Sequence, residues 1–212
     1  MVADNRGTLF VISAPSGTGK STLARRLLAS VPSLAFSVSY TTRPRRSGEE
    51  NGREYEFVDD ARFDAMAEAG GFLEWARVFD HKYGTGRAAT EAALAEGRSL
   101  VLDIDVQGAR QVKASGLDAV LVFILPPDYT ALAERLKRRG SEGQKAVSLR
   151  LAAARREAME YARFDYVVVN ADLEEASSEL ASIVRAESAR TGRRTNRVNK
   201  ILSTFPEPGF SA

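Results

Sequence analysis

Apolar positions along the chain fall into two kinds of run. Thr8–Ser13 (TLFVIS), Leu100–Ile104, Ala119–Leu125 and Tyr166–Val169 are short and nearly continuous, the pattern of strands buried on both faces. Between them the apolar residues recur three and four apart. Lys20–Ser30 places Leu23, Leu27 and Leu28 on one helical face, and Tyr129–Arg139, Val147–Tyr161 and Leu173–Arg190 repeat the pattern. Buried strands separated by helices predict an α/β fold with a parallel sheet flanked by helices. Residues 37–87 break this rhythm, being rich in Arg, Gly, Glu and aromatics. Within them a short strand is expected at Tyr55–Val58 and a helix at Ala61–Ala69, stopped by Gly70-Gly71. This stretch reads as a small mixed α/β insertion. Gly140–Gln144 is a second irregular stretch, and the segment from Thr191 onward reads as a loosely ordered tail.

Composition narrows the function classes. The 212 residues suit one domain with an insertion. No cysteine is present and His81 is the single histidine, which excludes disulfides, thiol nucleophiles and multi-histidine metal sites. His81 itself reads as an exposed loop residue. The apolar run near the start is too short for a signal core or a membrane span, so a cytoplasmic protein is expected. The net charge of +2 does not mark a nucleic-acid protein, because six basic residues and one acidic residue lie between Arg185 and Lys200. That concentration reads as a solvated basic tail, with no nucleic-acid and no membrane partner expected.

The strongest local signal is Ala14-Pro-Ser-Gly-Thr-Gly-Lys-Ser21, which follows the first strand and opens the first helix. It fits the phosphate-binding loop G-x-x-x-x-G-K-[ST] except that Ala14 replaces the first glycine. Backbone N–H groups of Pro15–Thr22, where present, and the helix N-terminus can cradle the phosphates of ATP. Lys20 can reach the β- and γ-phosphates, and the Ser21 hydroxyl can ligate Mg²⁺. Leu100-Val-Leu-Asp-Ile-Asp105 puts Asp103 and Asp105 at a strand's C-terminal end, where one carboxylate could hold the Mg²⁺. Alternatively, these aspartates cap the helix that begins near Val106.

Four further motifs occur in order: Ser37-Val-Ser-Tyr-Thr-Thr-Arg-Pro-Arg-Arg46-Ser-Gly-Glu-Glu-Asn-Gly-Arg-Glu-Tyr55, Phe72-Leu-Glu-Trp-Ala76, Tyr83-Gly-Thr85 and Leu102-Asp-Ile-Asp-Val-Gln-Gly108. With the phosphate loop, the chain resembles the guanylate kinase family over about residues 7–190. The resemblance implies transfer of the γ-phosphoryl group of Mg-ATP to GMP, giving ADP and GDP in purine nucleotide metabolism, with dGMP as a further acceptor. It also implies a P-loop core over residues 1–36 and 88–190, a GMP-binding insertion over 37–87, a helical lid at 135–150 and a basic tail over 191–212. Glu74 takes the position of the family's acceptor for the guanine N1–H and amino donors, with Asp105 as a second. Ser39 and Thr85 match hydroxyl donors to guanine O6, while Arg43, Arg46, Tyr55 and Tyr83 match groups on the GMP phosphate. Arg135, Arg139 and Arg150 match lid arginines that close over ATP, and Asn170 lies on the adenine side.

These assignments make Lys20, Arg43, Arg139 and Arg150 the catalytic cations. No general base is needed, since a monophosphate oxygen is already ionised, so catalysis should be positioning plus electrostatics. Trp75, with Phe72 and Leu73, reads as packing that orients Glu74. Arg45 has no assigned role. A guanylate-kinase-like protein-binding module without activity is the alternative, but such modules typically lack an intact loop and lid arginines. A kinase for another small acceptor would not need the Ser39, Arg43, Arg46, Tyr55 and Glu74 set. A homo-oligomer is compatible with all of this.

Overall fold

In a computed structural model of the chain, residues 6–78, 80–139 and 144–206 are described, without the side chains of residues 139 and 144–147. The first sheet contains β1 (Leu9–Ser13), β2 (Leu34–Phe36), β7 (Ser99–Asp103), β8 (Ala119–Leu125) and β9 (Tyr166–Val169), in the order β2-β7-β1-β8-β9. Every pairing is parallel. β1 is buried throughout because it lies in the middle of the sheet, with apolar clusters on both faces. One cluster contains Phe10, Ile12 and Leu23 from helix α1 (Lys20–Ser30), with Leu180 from α7 (Leu173–Ser188). The other contains Leu9 and Val11, Leu94 from α3 (Arg87–Ala95), and Val112 from α4 (Val106–Ala114).

The second sheet is mixed, with β3 (Ser39–Thr41), β4 (Tyr55–Phe57), β5 (Phe72–Val78) and β6 (His81–Gly86) in the order β4-β3-β6-β5. Helix α2 (Asp60–Glu68) packs Phe63 on Phe72, the rings stacked at 4.5 Å. The α2 start is set by Asp59, whose side chain accepts from the Arg62 N–H. Lys82 of β6, almost fully buried, ties this helix to the sheet through Asp60 at 2.9 Å and Asp64 at 2.6 Å.

Three expectations change. β9 is not buried on both faces: as the sheet's edge it leaves Val167 and Val169 exposed. His81 opens β6 and is half-buried, so it is not a loop residue. The tail holds a helix, α8 (Thr195–Leu202), whose Val198, Ile201 and Leu202 are exposed, and Arg193 before it donates to Thr8 Oγ1 at 2.7 Å. Helices α5 (Tyr129–Arg139) and α6 (Gln144–Ala158) pack through Leu132, Leu136 and Ala154, and α6 continues as a 3₁₀ turn over Met159–Arg163.

Candidate active site

The phosphate loop is built from the end of β1 and the head of α1. Ala14 is buried within the core cluster, which explains how a methyl group is tolerated where the usual pattern has glycine. Gly19 has φ +94°, and a Cβ there would lie 2.7 Å from Asn170 Nδ2, so the position demands glycine twice over. Gly19 is also the N-cap of α1 and supplies no capping side chain, and the first turn holds no acidic residue. The positive end of the helix is therefore left for an external anion. The loop is braced from inside: the Thr18 hydroxyl donates to Pro15 O, and Thr18 O accepts from Asn170 Nδ2 at 2.7 Å and from Arg135 at 3.3 Å. Arg135 also donates to Asn170 O at 2.9 Å.

Asn170 is almost fully buried, and its Nδ2 is engaged by the loop. Across the loop, the Ser16 N–H faces Glu157 Oε2 of α6 at 3.3 Å. Gly17, Gly19, Thr22, Arg135 and Asn170 line a pocket of about 370 Å³.

Lys20 reaches across to β7. Its ammonium lies 2.5 Å from Asp103 Oδ1 and donates to Ile104 O at 2.6 Å. The Asp103 oxygen has a charge contact but no aligned hydrogen bond, and it is buried. Asp105 does what a helix start demands: its carboxylate accepts from the Gly108 N–H at 2.8 Å and caps α4. The cap uses one oxygen of Asp105, and Asp103 faces Lys20.

The second sheet assembles the residues expected to hold the acceptor. Tyr55 pairs with Ser39, Ser39 with Thr85, and Thr85 with Glu74. Directly opposed residues share a face, so these four form one row across all four strands, roughly 14 Å long at the usual strand spacing. At one end the Thr85 hydroxyl donates to Glu74 Oε1 at 2.6 Å. A Cβ on Gly108 would meet Glu74 Oε2 at 2.9 Å, so the missing side chain lets α4 approach the carboxylate. Glu74 is only 7% exposed and has no ion pair among the described residues. Burial pushes its pKa above the ordinary carboxylate range, and the Asp105 charge adds to this, while the Thr85 hydroxyl works against it.

At the other end Tyr55 lies edge-on to Tyr83 at 5.9 Å, and the Arg43 guanidinium stands over the Tyr55 and Phe57 rings at 5.4 and 5.6 Å. Arg43 is held there by Glu49 at 2.7 Å, whose hydrogen bond raises the guanidinium pKa further. The other Glu49 oxygen accepts from the Arg46 N–H at 2.7 Å. The Arg46 side chain is exposed. Ser39, Tyr55 and Asp103 line a second pocket, of about 400 Å³, at the junction of the two sheets. A third cavity, of about 290 Å³ under Phe164, contains none of the residues above.

Glu49 and Gln111 are new participants, and neither has a local sequence signature. Gln111 of α4 exchanges two hydrogen bonds with the backbone of Trp75. Trp75 is 41% exposed, which corrects its reading as core packing: β5 turns Glu74 inward and its neighbour outward, leaving the indole edge-on to Phe63. Arg150 lies half-buried on α6. The Arg139 side chain and residues 140–143 lie outside the described residues.

The sequence model of the guanylate kinase family ("Guanylate kinase") matches residues 6–187. The guanylate kinase of Rhodopseudomonas palustris (strain BisB18) is 49% identical over 193 residues, covering 91% of this chain and 88% of the relative. That of Legionella pneumophila (strain Lens) is 45% identical over 203 residues, covering 96% and 97%. The crystal structure of guanylate kinase from Anaplasma phagocytophilum is similar with a TM-score of 0.70 and 34% identity, over 98% of this chain and 100% of that one.

Proposed function

Because this chain belongs to the guanylate kinase family and is an ATP:GMP phosphotransferase, we propose that its two pockets divide the substrates, with ATP on the phosphate loop and GMP along the cross-strand row. The row carries this reading. A carboxylate and a hydroxyl stand at one end, phenols and a guanidinium at the other, and a nucleoside monophosphate needs those two chemistries at its two ends. Glu74 accepts from the guanine N1–H and amino group, and Thr85 and Ser39 serve its polar edge. A buried carboxylate without a cation is costly until a ligand brings donors to it. Arg43, Tyr55, Tyr83 and Arg46 hold the phosphate, with Glu49 keeping the Arg43 fork in place for it. Asp105 contributes by fixing α4 behind Glu74.

On the donor side the amides of residues 16–22 and the α1 N-terminus hold the ATP phosphates, and Lys20 follows the transferring group. Arg139 and Arg150, on the two lid helices, and Arg135 add positive charge as the lid closes, and closure keeps water from the γ-phosphate. Asp103 and Ser21 would hold Mg²⁺: the Asp103 carboxylate stands beside Lys20 at the end of β7, Ser21 follows Lys20 in the loop, and a kinase Mg²⁺ needs one or two protein oxygens beside phosphates and water. When bound, Mg²⁺ would offset charge on the ATP phosphates. The core, the 37–87 insertion, the 135–150 lid and the basic tail form separate working parts in this reading. No helix among the described residues is long and apolar enough to cross a membrane; we assign the work to the cytoplasm. None of the proposed contacts uses a ribose 2′-hydroxyl, so dGMP serves as an acceptor too.

A coupled assay of ADP formation with GMP, dGMP, AMP, UMP and CMP tests the division of substrates. GMP and dGMP turn over, with the other three far behind; equal rates for AMP and GMP would remove the base-reading role of Glu74. A pH dependence follows from the raised Glu74 pKa. The free protein holds a proton on Glu74 to higher pH than an ordinary carboxylate, whereas guanine binds the ionised form. GMP affinity therefore falls as pH drops through that raised pKa, and binding near it releases a proton. The GMP phosphate also titrates, near pH ~6, and Glu74→Gln separates the two effects. Calorimetric Kd values against pH should lose one acid limb in Glu74→Gln and keep the phosphate limb. An unchanged profile would mean that Glu74 does not ionise in the binding step.

A further inference from the structure

We propose that Gln111 is a positioning residue for guanine discrimination, acting as a substitute strand along the open edge of β5 and so fixing the Glu74 carboxylate. The inference rests on the reading of Glu74 as the base acceptor.

β5 is the edge strand of its sheet, and its pairing with β6 shifts register between Phe72 and Glu74. The shift has a cause in packing. Phe72 and Glu74, two positions apart, pair with the adjacent residues Gly86 and Thr85 and so bury their side chains on opposite faces, which a regular strand cannot do. Phe72 stacks on Phe63 within the insertion, and Leu73 enters the core cluster with Leu9, Val11 and Leu102. Glu74 lies beside Thr85 and Gly108. An extra residue in one strand of the pair allows this, but it disrupts the ladder immediately before the residue that must be held most accurately.

Gln111 closes that gap from the other side. The Trp75 N–H donates to Gln111 Oε1 at 3.1 Å, and Gln111 Nε2 donates to Trp75 O at 3.0 Å. A primary amide sets an acceptor oxygen beside an N–H₂ donor at nearly the spacing of a peptide group, so the pair restores what a neighbouring strand would give. Gln111 lies three residues beyond Gly108, on the same side of α4. One helix face thus sets both the clearance at the Glu74 carboxylate and the height of the next backbone unit. The helix itself is anchored by the Asp105 cap and by buried Ala109 and Val112. Without the amide pair, β5 can shift by a fraction of an ångström at its irregular point, and Glu74 shifts with it relative to Thr85.

The test is the ratio of kcat/KM for GMP to that for IMP, which lacks the 2-amino group but keeps N1–H and O6. This ratio does not depend on the fraction of protein that is folded and active. Gln111→Met keeps length and loses both hydrogen bonds, and it should lower the ratio about tenfold, as weakening one well-placed hydrogen bond does. The KM for ATP should not change. Gln111→Glu keeps the acceptor for the Trp75 N–H but sets a carboxylate against Trp75 O, and should lower the ratio at least as far. In a Glu74→Gln background, Gln111→Met should no longer affect the ratio, because the group it positions is gone. If Glu74→Gln collapses the ratio while Gln111→Met leaves it intact, the positioning role is overturned and the Glu74 reading stands. Equal losses for GMP and IMP in Gln111→Met would also overturn it, as a general structural effect. If Glu74→Gln itself keeps the ratio, the reading of Glu74 fails first and the role of Gln111 falls with it.

Discussion

Lys20→Met lowers turnover of ATP with GMP by about a hundredfold or more, the scale of losing one preorganised charge at a transition state. The Kd for GMP stays within about twofold, because Lys20 serves the other substrate. Methionine keeps the unbranched stem along the loop, so the change is confined to the ammonium. That group has a second duty in the ligand-free protein, where it contacts Asp103 and donates to Ile104 O. Removing it leaves the Asp103 oxygen without its cation, so the variant should also melt at a lower temperature. The two effects separate in Lys20→Met/Asp103→Asn, which recovers thermal stability without recovering turnover. Single-turnover rates and melting curves on both proteins provide the check. A Lys20→Met enzyme of near-normal rate would show that the loop holds its phosphate by backbone groups alone.

The same residue shows why much of the donor half was legible in the sequence. A phosphate loop is local: its strand, its glycines, its lysine and its helix are contiguous, so periodicity and one motif locate them together. α1, α5, β8 and β9 lie where uninterrupted apolar patterns put them. The acceptor half is not local. β3, at three residues, carries too little pattern to be read, and β5 buries three neighbours in a row. Alternation cannot reveal a strand whose register shifts at the residue of interest. Ser39, Tyr55, Glu74 and Thr85 were identified as candidates through resemblance, and the pairing of four strands is what makes them one row.

Partners that act across distance left no trace in sequence. Gln111 is 36 residues from Trp75, and Glu49 pairs with Arg43 within a stretch already dense in charge. Edge position explains the misread burial of β9, because a run of four apolar residues looks the same in the middle of a sheet as at its border. The basic C-terminal segment misled in the opposite direction. Its charge suggested a loose tail, whereas Val198, Ile201 and Leu202 at helical spacing mark one side of α8.

Glu74→Gln should have the largest effect on base choice, and the surroundings of the side chain say why. The carboxylate accepts the Thr85 hydroxyl on one oxygen and lies close to Gly108 on the other. Glutamine fits the same volume, so the fold survives, and relief of a buried ionised group should leave the ligand-free variant no less stable at pH above the raised Glu74 pKa. The sign follows from the raised pKa: burial penalises the ionised form, and that cost is felt as pH rises through the folded value. Binding is another matter. Guanine presents two adjacent donors, and an amide has one acceptor. If its oxygen keeps the Thr85 bond, its amino group faces the base; if the amide turns over, one guanine donor still meets N–H₂. Either orientation leaves a donor unpaired in a buried site, at about 1–3 kcal/mol and more for a lost charged acceptor. With 1.4 kcal/mol to a factor of ten, kcat/KM for GMP falls by about a hundredfold or more. Activity with AMP should fall far less, since adenine N1 can accept from the new amide, and the KM for ATP serves as the internal control. A variant that keeps its full preference for GMP over AMP would shift base reading to Ser39 and Thr85, and the burial of a carboxylate beside them would need another cause.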